Sequence, residues 1–475
     1  MHLHQRQLKF GAFAVFAVCA VLAGAAAAAA GATAAGATER VSVSSTGVQG
    51  NDISGRTGPP AISADGNVVA FDSIATNLVA AGTTSGQDNI YLRDRSNGAT
   101  DLVSVTPTGA EPDGSSFLPD LSGDGRYVAF QSVADDLVPG DGNGFEDVFV
   151  YDRAAGTTTR ASVAGKSKDA NDNSLGASIS DDGRYVAFRS DATNLVKGAR
   201  PTSIYVRDLV KHKTELASVA SDGTPANSFN FNADISGDGR YVAFDSQATN
   251  LAPGDDGTTQ IFVHDRVTGT TTQASVDGSG TPANGESTDP SISADGRYVA
   301  FDSDASNLVP GDTNGVRDVF VHDLLTGQTT RVDVDSAGNQ ANEISDISIR
   351  GGGTFGPAIS GDGRYVAFDS AAGNLVPEDT NTCTLANPQP VFDFPITGQC
   401  PDVFVHDLQT GATTRASLDS NGNQADGPST DPAINGDGSA IAFFSVATNL
   451  VPDDTNTCGV FPNPGQCPDI FVHTP

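Results

Sequence analysis

Tryptophan is absent from all 475 residues, and Met1 is the sole methionine. Without an indole, the chain has no sugar-stacking platform of the usual kind. Positive charge is scarce: 26 Lys and Arg stand against 58 Asp and Glu, for a net charge of −32. That balance excludes nucleic acid or an anionic membrane as a charge-bound partner. No GxSxG, HExxH, CxxC or glycine-rich phosphate loop occurs, so the commonest hydrolase, metalloprotease, thiol-redox and nucleotide-binding signatures are missing. Convincing helical periodicity is missing beyond the N-terminus.

One long apolar run exists. "GAFAVFAVCAVLAGAAAAAA", Gly11 to Ala30, follows a start that carries Arg6 and Lys9 and precedes the small residues "GATAAGAT". A basic start, an apolar middle and an alanine-rich exit match a secretory signal peptide, assigned here to residues 1–36. An uncleaved anchor is the competing reading, since residues 11–35 are long enough to span a bilayer. Cleavage removes Arg6, Lys9 and Cys19, so the mature charge becomes −32 − 2 = −34. Four cysteines then remain, Cys383, Cys400, Cys458 and Cys467. An even count in an exported chain points to two disulfides. Local closure, Cys383–Cys400 and Cys458–Cys467, is the simplest pairing, with Cys383–Cys458 as its competitor. The expected location is secreted or periplasmic.

The rest of the chain is a repeat. "ISGDGRYVAFDS" runs from Ile235 to Ser246, returns unchanged from Ile359, and has looser copies at Ile62, Leu121, Ile179, Ile292 and Ile434. The turn aspartates Asp65, Asp124, Asp182, Asp238, Asp295, Asp362 and Asp437 lie 59, 58, 56, 57, 67 and 75 residues apart. One unit, Pro290 to Val334, divides into "PSIS", a turn "ADGR", "RYVAFDS", "DVFVHDL", a turn "LTGQ", and "TTRVDV". Four short strands with turn signals between them describe one blade of a β-propeller. The last unit ends at "DIFVHTP" after its third strand, while "ERVSVSSTG" near the N-terminus aligns with fourth-strand copies. The sequence therefore predicts an all-β, seven-bladed propeller over residues 37–475. Its N-terminal strand, Glu39 to Val43, completes the last blade by pairing with Asp469 to His473. Closure leaves no free blade edge.

The pairing of "PAISGDGRYVAFDS" with "DVFVHDLQTGATTRAS" resembles the TolB-type, WD-repeat-like propeller unit, from about Glu39 to the end. That resemblance implies an interaction platform, a non-catalytic half of a peptidase, or, more rarely, a lyase. Fold alone does not choose among them.

Three sets of residues are candidates for chemistry on the face that carries the long, varied loops. Asn51, Asp113, Asn171, Asn227, Asn284, Asn342 and Asp426 recur in the blade-to-blade crossings, followed three residues later by Ser or Asn. They are expected to ring the channel mouth, either as a ligand-binding set or as Asx caps of a turn. Asp141, Asn143 and Asp147 share a spacing with Asp312, Asn314 and Asp318. Carboxylates around a glycine turn suit weak Ca²⁺ sites, with affinity on the order of 10⁻⁴ to 10⁻³ M, and equally suit a polar turn. His264, His322, His406 and His473 share a strand position that diverges around the ring and is expected to serve packing. The reading is an exported, non-catalytic, monomeric scaffold for a protein or cell-envelope partner. Its alternative is a metal-assisted lyase or hydrolase on the open face.

Overall fold

The structure is a computed structural model and describes residues 36–84, 86–254, 256–345, 356–384, 397–458 and 465–475. The segment assigned as a signal peptide lies, but for Gly36, outside them. Among the described residues there is no helix, and so none long and apolar enough to cross a membrane.

Seven four-stranded antiparallel sheets follow one another along the chain. Blade 1 comprises Ala61–Ile62, Val68–Ser73, Asn89–Asp94 and Ala99–Leu102. Blades 2 to 6 run from Ser116 to Arg160, Ser174 to Leu216, Asn230 to Gln273, Ser287 to Arg331 and Ala358 to Arg415. Blade 7 joins Ser429–Ile434, Ile441–Ser445 and Asp469–Thr474 to Ala37–Arg40 from the other end of the chain. The closure expected from the sequence is present, two residues earlier than anticipated. Ala37 pairs with Thr474 and Arg40 with Phe471, and a last bond runs from the Val41 amide to the Ile470 carbonyl at 2.9 Å. Beyond it the chain turns back on itself, with the Val43 amide on the Val41 carbonyl, which ends the pairing short of Val43.

Strands two and three are apolar on both faces because each blade is covered on both sides. The buried apolar residues form seven clusters, each shared between neighbouring blades. Within each blade an aromatic of strand two stacks on one of strand three. Phe130 and Phe149, for example, have ring centres 5.9 Å apart.

The repeated dodecamer is explained by what its turn touches. Ser236 donates to Asp238 at 2.8 Å, Asp238 accepts from the Arg240 amide, and Ser236 accepts from the Tyr241 amide. The Arg240 guanidinium lies 4.7 Å above the Tyr241 ring and reaches Asp265 at 2.9 and 2.7 Å. The turn glycine then rests on the tyrosine of the preceding blade. Gly239 lies on Tyr185, Gly296 on Tyr241 and Gly363 on Tyr298. A Cβ on Gly296 would sit 2.1 Å from the ring of Tyr241.

Both disulfides are local, as the simplest pairing predicts: Cys383–Cys400 and Cys458–Cys467. All four half-cystines are buried in the cluster shared by blades 7 and 1.

Two outcomes test this account. Gly269 and Gly296 both have φ near +73, at +74 and +72, but a Cβ on Gly269 meets nothing. Gly269→Ala is expected to cost about 1–2 kcal/mol for the left-handed backbone alone. Gly296→Ala is expected to cost a further ~1–3 kcal/mol for displacing Tyr241. Equal urea midpoints for the two variants would refute the glycine-on-tyrosine contact. Removal of residues 36–42 should lower the melting temperature sharply, and an unchanged value would show that the ring does not depend on that strand.

Candidate functional site

The first strand of every blade lines a central channel of about 340 Å³. Strand one is bulged in blades 2, 3, 4, 5 and 7, and Leu118, Asp289 and Asp431 take positive φ there, at 48°, 55° and 53°. In each of these three, proline follows. Further along the wall, polar side chains fasten one blade to the next. Asp120 accepts the Ile179 amide at 2.7 Å, and Asp234 accepts that of Ile292 at 2.8 Å. Ser178 donates to Asp234 at 2.7 Å and accepts the Ile235 amide at 3.2 Å. Burial, with Asp234 nearby, pushes Asp120 up to about 7.

Toward the open face, three buried aspartates gather around blades 4 and 5. Asp245 and Asp302 hold the same place in strand two of their blades, and Asp289 sits on the bulge. Asp245 accepts the Asn232 amide at 2.6 Å, and the Asn232 side chain donates to Asp289. Asp302 meets Arg317 at 2.7 Å and accepts from Thr288 at 3.2 Å. Burial and the charge of Asp289 raise Asp245 well above the usual range, and raise Asp302 to about 8 against the pull of Arg317. Sequence reasoning missed this cluster. A signal was present: the last-but-one residue of "YVAFDS" varies, as Asp72, Gln131, Arg189, Asp245, Asp302, Asp369 and Phe444, inside an otherwise uniform strand.

The seven recurrent Asn and Asp residues do not line the channel. They are exposed on the open face, each clasped to the loop after strand two of its own blade. Asn284 accepts from the Ser306 amide at 2.9 Å, and its own amide donates to Asn307 at 2.9 Å. Asn51, Asn171 and Asn227 repeat that pattern. Asp113 and Asp426 accept from the Asp135 and Thr448 amides, and the Asn342 amide donates to Asn374. The Ser three residues later is buried against the Ser that ends strand two, as Ser287 with Ser303 at 2.8 Å.

The two acidic loops each close on an arginine from the end of the blade's fourth strand. Arg160 contacts Asp141 and Asp147, the latter at 3.1 Å, while Asn143 donates to Asp147 at 2.7 Å. Arg331 meets Asp312 at 3.5 Å and Asp318 at 3.1 Å, and Asn314 donates to Asp318 at 2.6 Å. Blades 6 and 7 repeat the arrangement with Arg415 on Asp379 and Asp402, and Arg40 on Asp454 and Asp469. Where the third strand begins with Asn89, Ser203 or Gln260 instead of Asp, the arginine is replaced by Leu102, Leu216 or Gln273. This matched variation within one chain was legible in the sequence. A calcium ion in either loop would share its carboxylates with a fixed guanidinium.

The histidines stay away from the mouth. His264, His322, His406 and His473 each bond through Nδ1 to a fourth-strand threonine, at 2.8–2.9 Å. That threonine donates to a main-chain carbonyl of the preceding blade, as Thr271 does to Val219. Burial lowers the pKa of all four, and brings His473 to about 4.

No protein-family model and no curated protein sequence matches the chain. Solved structures show what the fold is similar to. Oligogalacturonate lyase from Vibrio parahaemolyticus aligns over 92% of this chain and 93% of its own, at 11% identity and a TM-score of 0.50. The propeller domain of the trilobed protease from Pyrococcus furiosus aligns over 87% and 91%, at 10% identity and a TM-score of 0.49. TolB from Acinetobacter baumannii aligns over 57% and 53%, at 19% identity and a TM-score of 0.35. These likenesses are of fold alone.

The acid cluster sets a pH dependence with a definite sign. A carboxyl whose folded pKa is raised holds a proton that the unfolded chain releases, so its stabilisation is present at low pH and lost as pH rises. For Asp302 the window runs from 3.8 to about 8, and Asp245, raised by the same causes, loses its share in the same direction. Asp245→Asn keeps an acceptor for the Asn232 amide and removes one charge. It should raise stability at pH 8 by on the order of 1–2 kcal/mol and change little at pH 5. Urea midpoints at both pH values check this, and an equal shift at both would assign the effect to packing.

Proposed function

We propose that the chain is an exported, non-catalytic propeller that acts as a monomer and holds a protein or cell-envelope partner on its open face. The observation that carries this reading is the employment of the titratable groups. Asp120 and Asp234 hold main-chain amides of neighbouring blades, the histidines hold threonines, and the loop acids hold arginines. None of these is left as a free base beside a nucleophile. The open face instead offers loops that differ from blade to blade, with Val133, Phe145, Phe229 and Ile344 exposed among them. Exposed apolar groups rimmed by polar loops suit protein contact. Two disulfides support an oxidising location, in keeping with the signal-like N-terminus.

The alternative, a metal-assisted lyase or hydrolase, draws on Asp245, Asp289 and Asp302 near the channel mouth. Its base would have to be one of these carboxyls, since the histidines are held at fourth-strand threonines.

Capture from a cell-envelope extract distinguishes the faces. Replacing Phe145, Phe229 and Ile344 with Ser should abolish retention of a partner. Replacing Val210, Val267 and Leu325, exposed on the opposite hairpin tips, should leave it intact. Retention unaffected by the first set, or lost only with the second, would overturn the open-face assignment. Loss of a measurable lyase or hydrolase activity in Asp289→Asn would favour the enzyme.

A further inference from the structure

Six blades carry serine two residues after the end of the fourth strand: Ser42, Ser104, Ser162, Ser218, Ser275 and Ser417. Blade 5 carries Asp333 there. In blades 2, 6 and 7 the serine hydroxyl donates to the aspartate that opens strand three, as Ser162 to Asp147, Ser417 to Asp402 and Ser42 to Asp469. In blade 5 the corresponding Asp318 instead faces a second carboxylate, and both residues are fully buried. Neither oxygen of Asp333 has a hydrogen-bond donor. The hydroxyl beside it, on Ser345, donates to Ser370 at 3.0 Å.

Asn314 adds a third oxygen. Its amide hydrogens go to Asp318 at 2.6 Å and to the Ala341 carbonyl at 3.2 Å, both acceptors, which fixes which end of the amide is which. Its Oδ1 is left buried without a donor. Asn381 and Asn456 have the same donor-less oxygen in blades 6 and 7, but beside an aspartate that a serine satisfies. The charge balance points the same way. With all three carboxyls ionised, Asp312, Asp318 and Asp333 stand against Arg331, −3 + 1 = −2, a balance that burial and the neighbouring carboxylates push Asp312 and Asp333 to relieve by holding a proton. Buried charge of that size requires a counter-charge. A single proton would leave one unit of charge and the amide oxygen unmatched.

We propose that blade 5 holds one divalent cation of the calcium class, bound by the carboxylates of Asp318 and Asp333 and the Oδ1 of Asn314. A +2 ion closes the local balance to zero, and all three ligands are the hard oxygens such an ion takes. Main-chain carbonyls and water complete its shell. Asp312 and Arg331 flank the site, the guanidinium held to Asp312, Asp318 and Gln340. Blade 2 differs, because Arg160 and Ser162 already satisfy Asp147. The proposal adds Asp333 to the loop residues read from the sequence, and is independent of what docks on the open face.

Calcium chloride titrated into the chain from residue 36 onward tests it, by calorimetry and by thermal melting. One ion per chain is expected, with a Kd on the order of 10⁻⁵ to 10⁻³ M, together with a melting temperature that rises with calcium and falls with chelator. Asp333→Ser installs the residue of the six other blades and should abolish both responses, while Asp147→Asn in blade 2 should leave them. No binding at millimolar calcium would overturn the proposal in favour of a shared proton. Binding that survives Asp333→Ser, or is lost only in Asp147→Asn, would overturn it by placing the ion elsewhere. Should Asp333→Ser fail to fold, Asp333→Asn is read in its place: a tenfold or greater loss of affinity supports the site and an unchanged affinity refutes it.

Discussion

Everything in this molecule rests on the contact between one blade and the next. A single blade is a four-stranded sheet with apolar residues on both faces, and it has no stable existence in water. Its two coverings come from its neighbours. In blades 3 to 7 the glycine of the Asp-Gly turn makes the fit close enough, because it alone can lie flat on the tyrosine ring of the blade before it. In blades 2 to 6 the same turn sends an arginine over its own tyrosine to the aspartate at the end of strand three. Threonines on the outer strands and aspartates on the inner strands then tie blade to blade at opposite edges. The ring is a sum of such nearest-neighbour interfaces, closed by a strand from the far end of the chain.

The acidity of the chain looks different once the contacts are known. The seven turn aspartates each accept the amide two residues on, from Asn67 in blade 1 to Ser439 in blade 7. Others cap the neighbouring hairpins that follow strand three, as Asp265 and Asp323 do. Much of the negative charge therefore works as hydrogen-bond acceptor in turns. The basic residues, though few, are placed with economy. Arg126, Arg184, Arg240, Arg297 and Arg364 each hold an aspartate in a two-pronged contact, and Arg40, Arg160, Arg331 and Arg415 each sit between two loop carboxylates.

The ring, its seven blades, its closing strand and its disulfides were legible because they follow from local signals: period, turn chemistry, and a missing fourth strand at one end matched by a spare one at the other. The registers were less so, since the bend after Val41 depends on the blade it leaves. The interior of the site was not legible. Asp245, Asp289 and Asp302 stand 44 and 13 residues apart in sequence and meet only because blades 4 and 5 are neighbours. Asp333 differs from serine by one letter in an otherwise repetitive stretch, and its meaning depends on the Asp318 it faces. The rim asparagines were found by their recurrence, but recurrence cannot separate a clasp from a ligand set. The hydrogen bonds of Asn284 to Ser306 and Asn307 show the clasp side of that pair.

The tyrosine seats are missing at two joints. Gly66 of blade 1 lies on Ala440 of blade 7, and Gly125 of blade 2 lies on Val68 of blade 1. Blade 1 is thus held on both sides by small aliphatic groups where blades 3 to 7 rest on an aromatic ring. The chain ends meet inside blade 7, beside one of those two joints. A closed ring that is uniform in outline therefore has a preferred place to part. Parting at either of these two joints would turn the ring into an arc of seven blades, and thermal breathing and proteolysis should find their first purchase there.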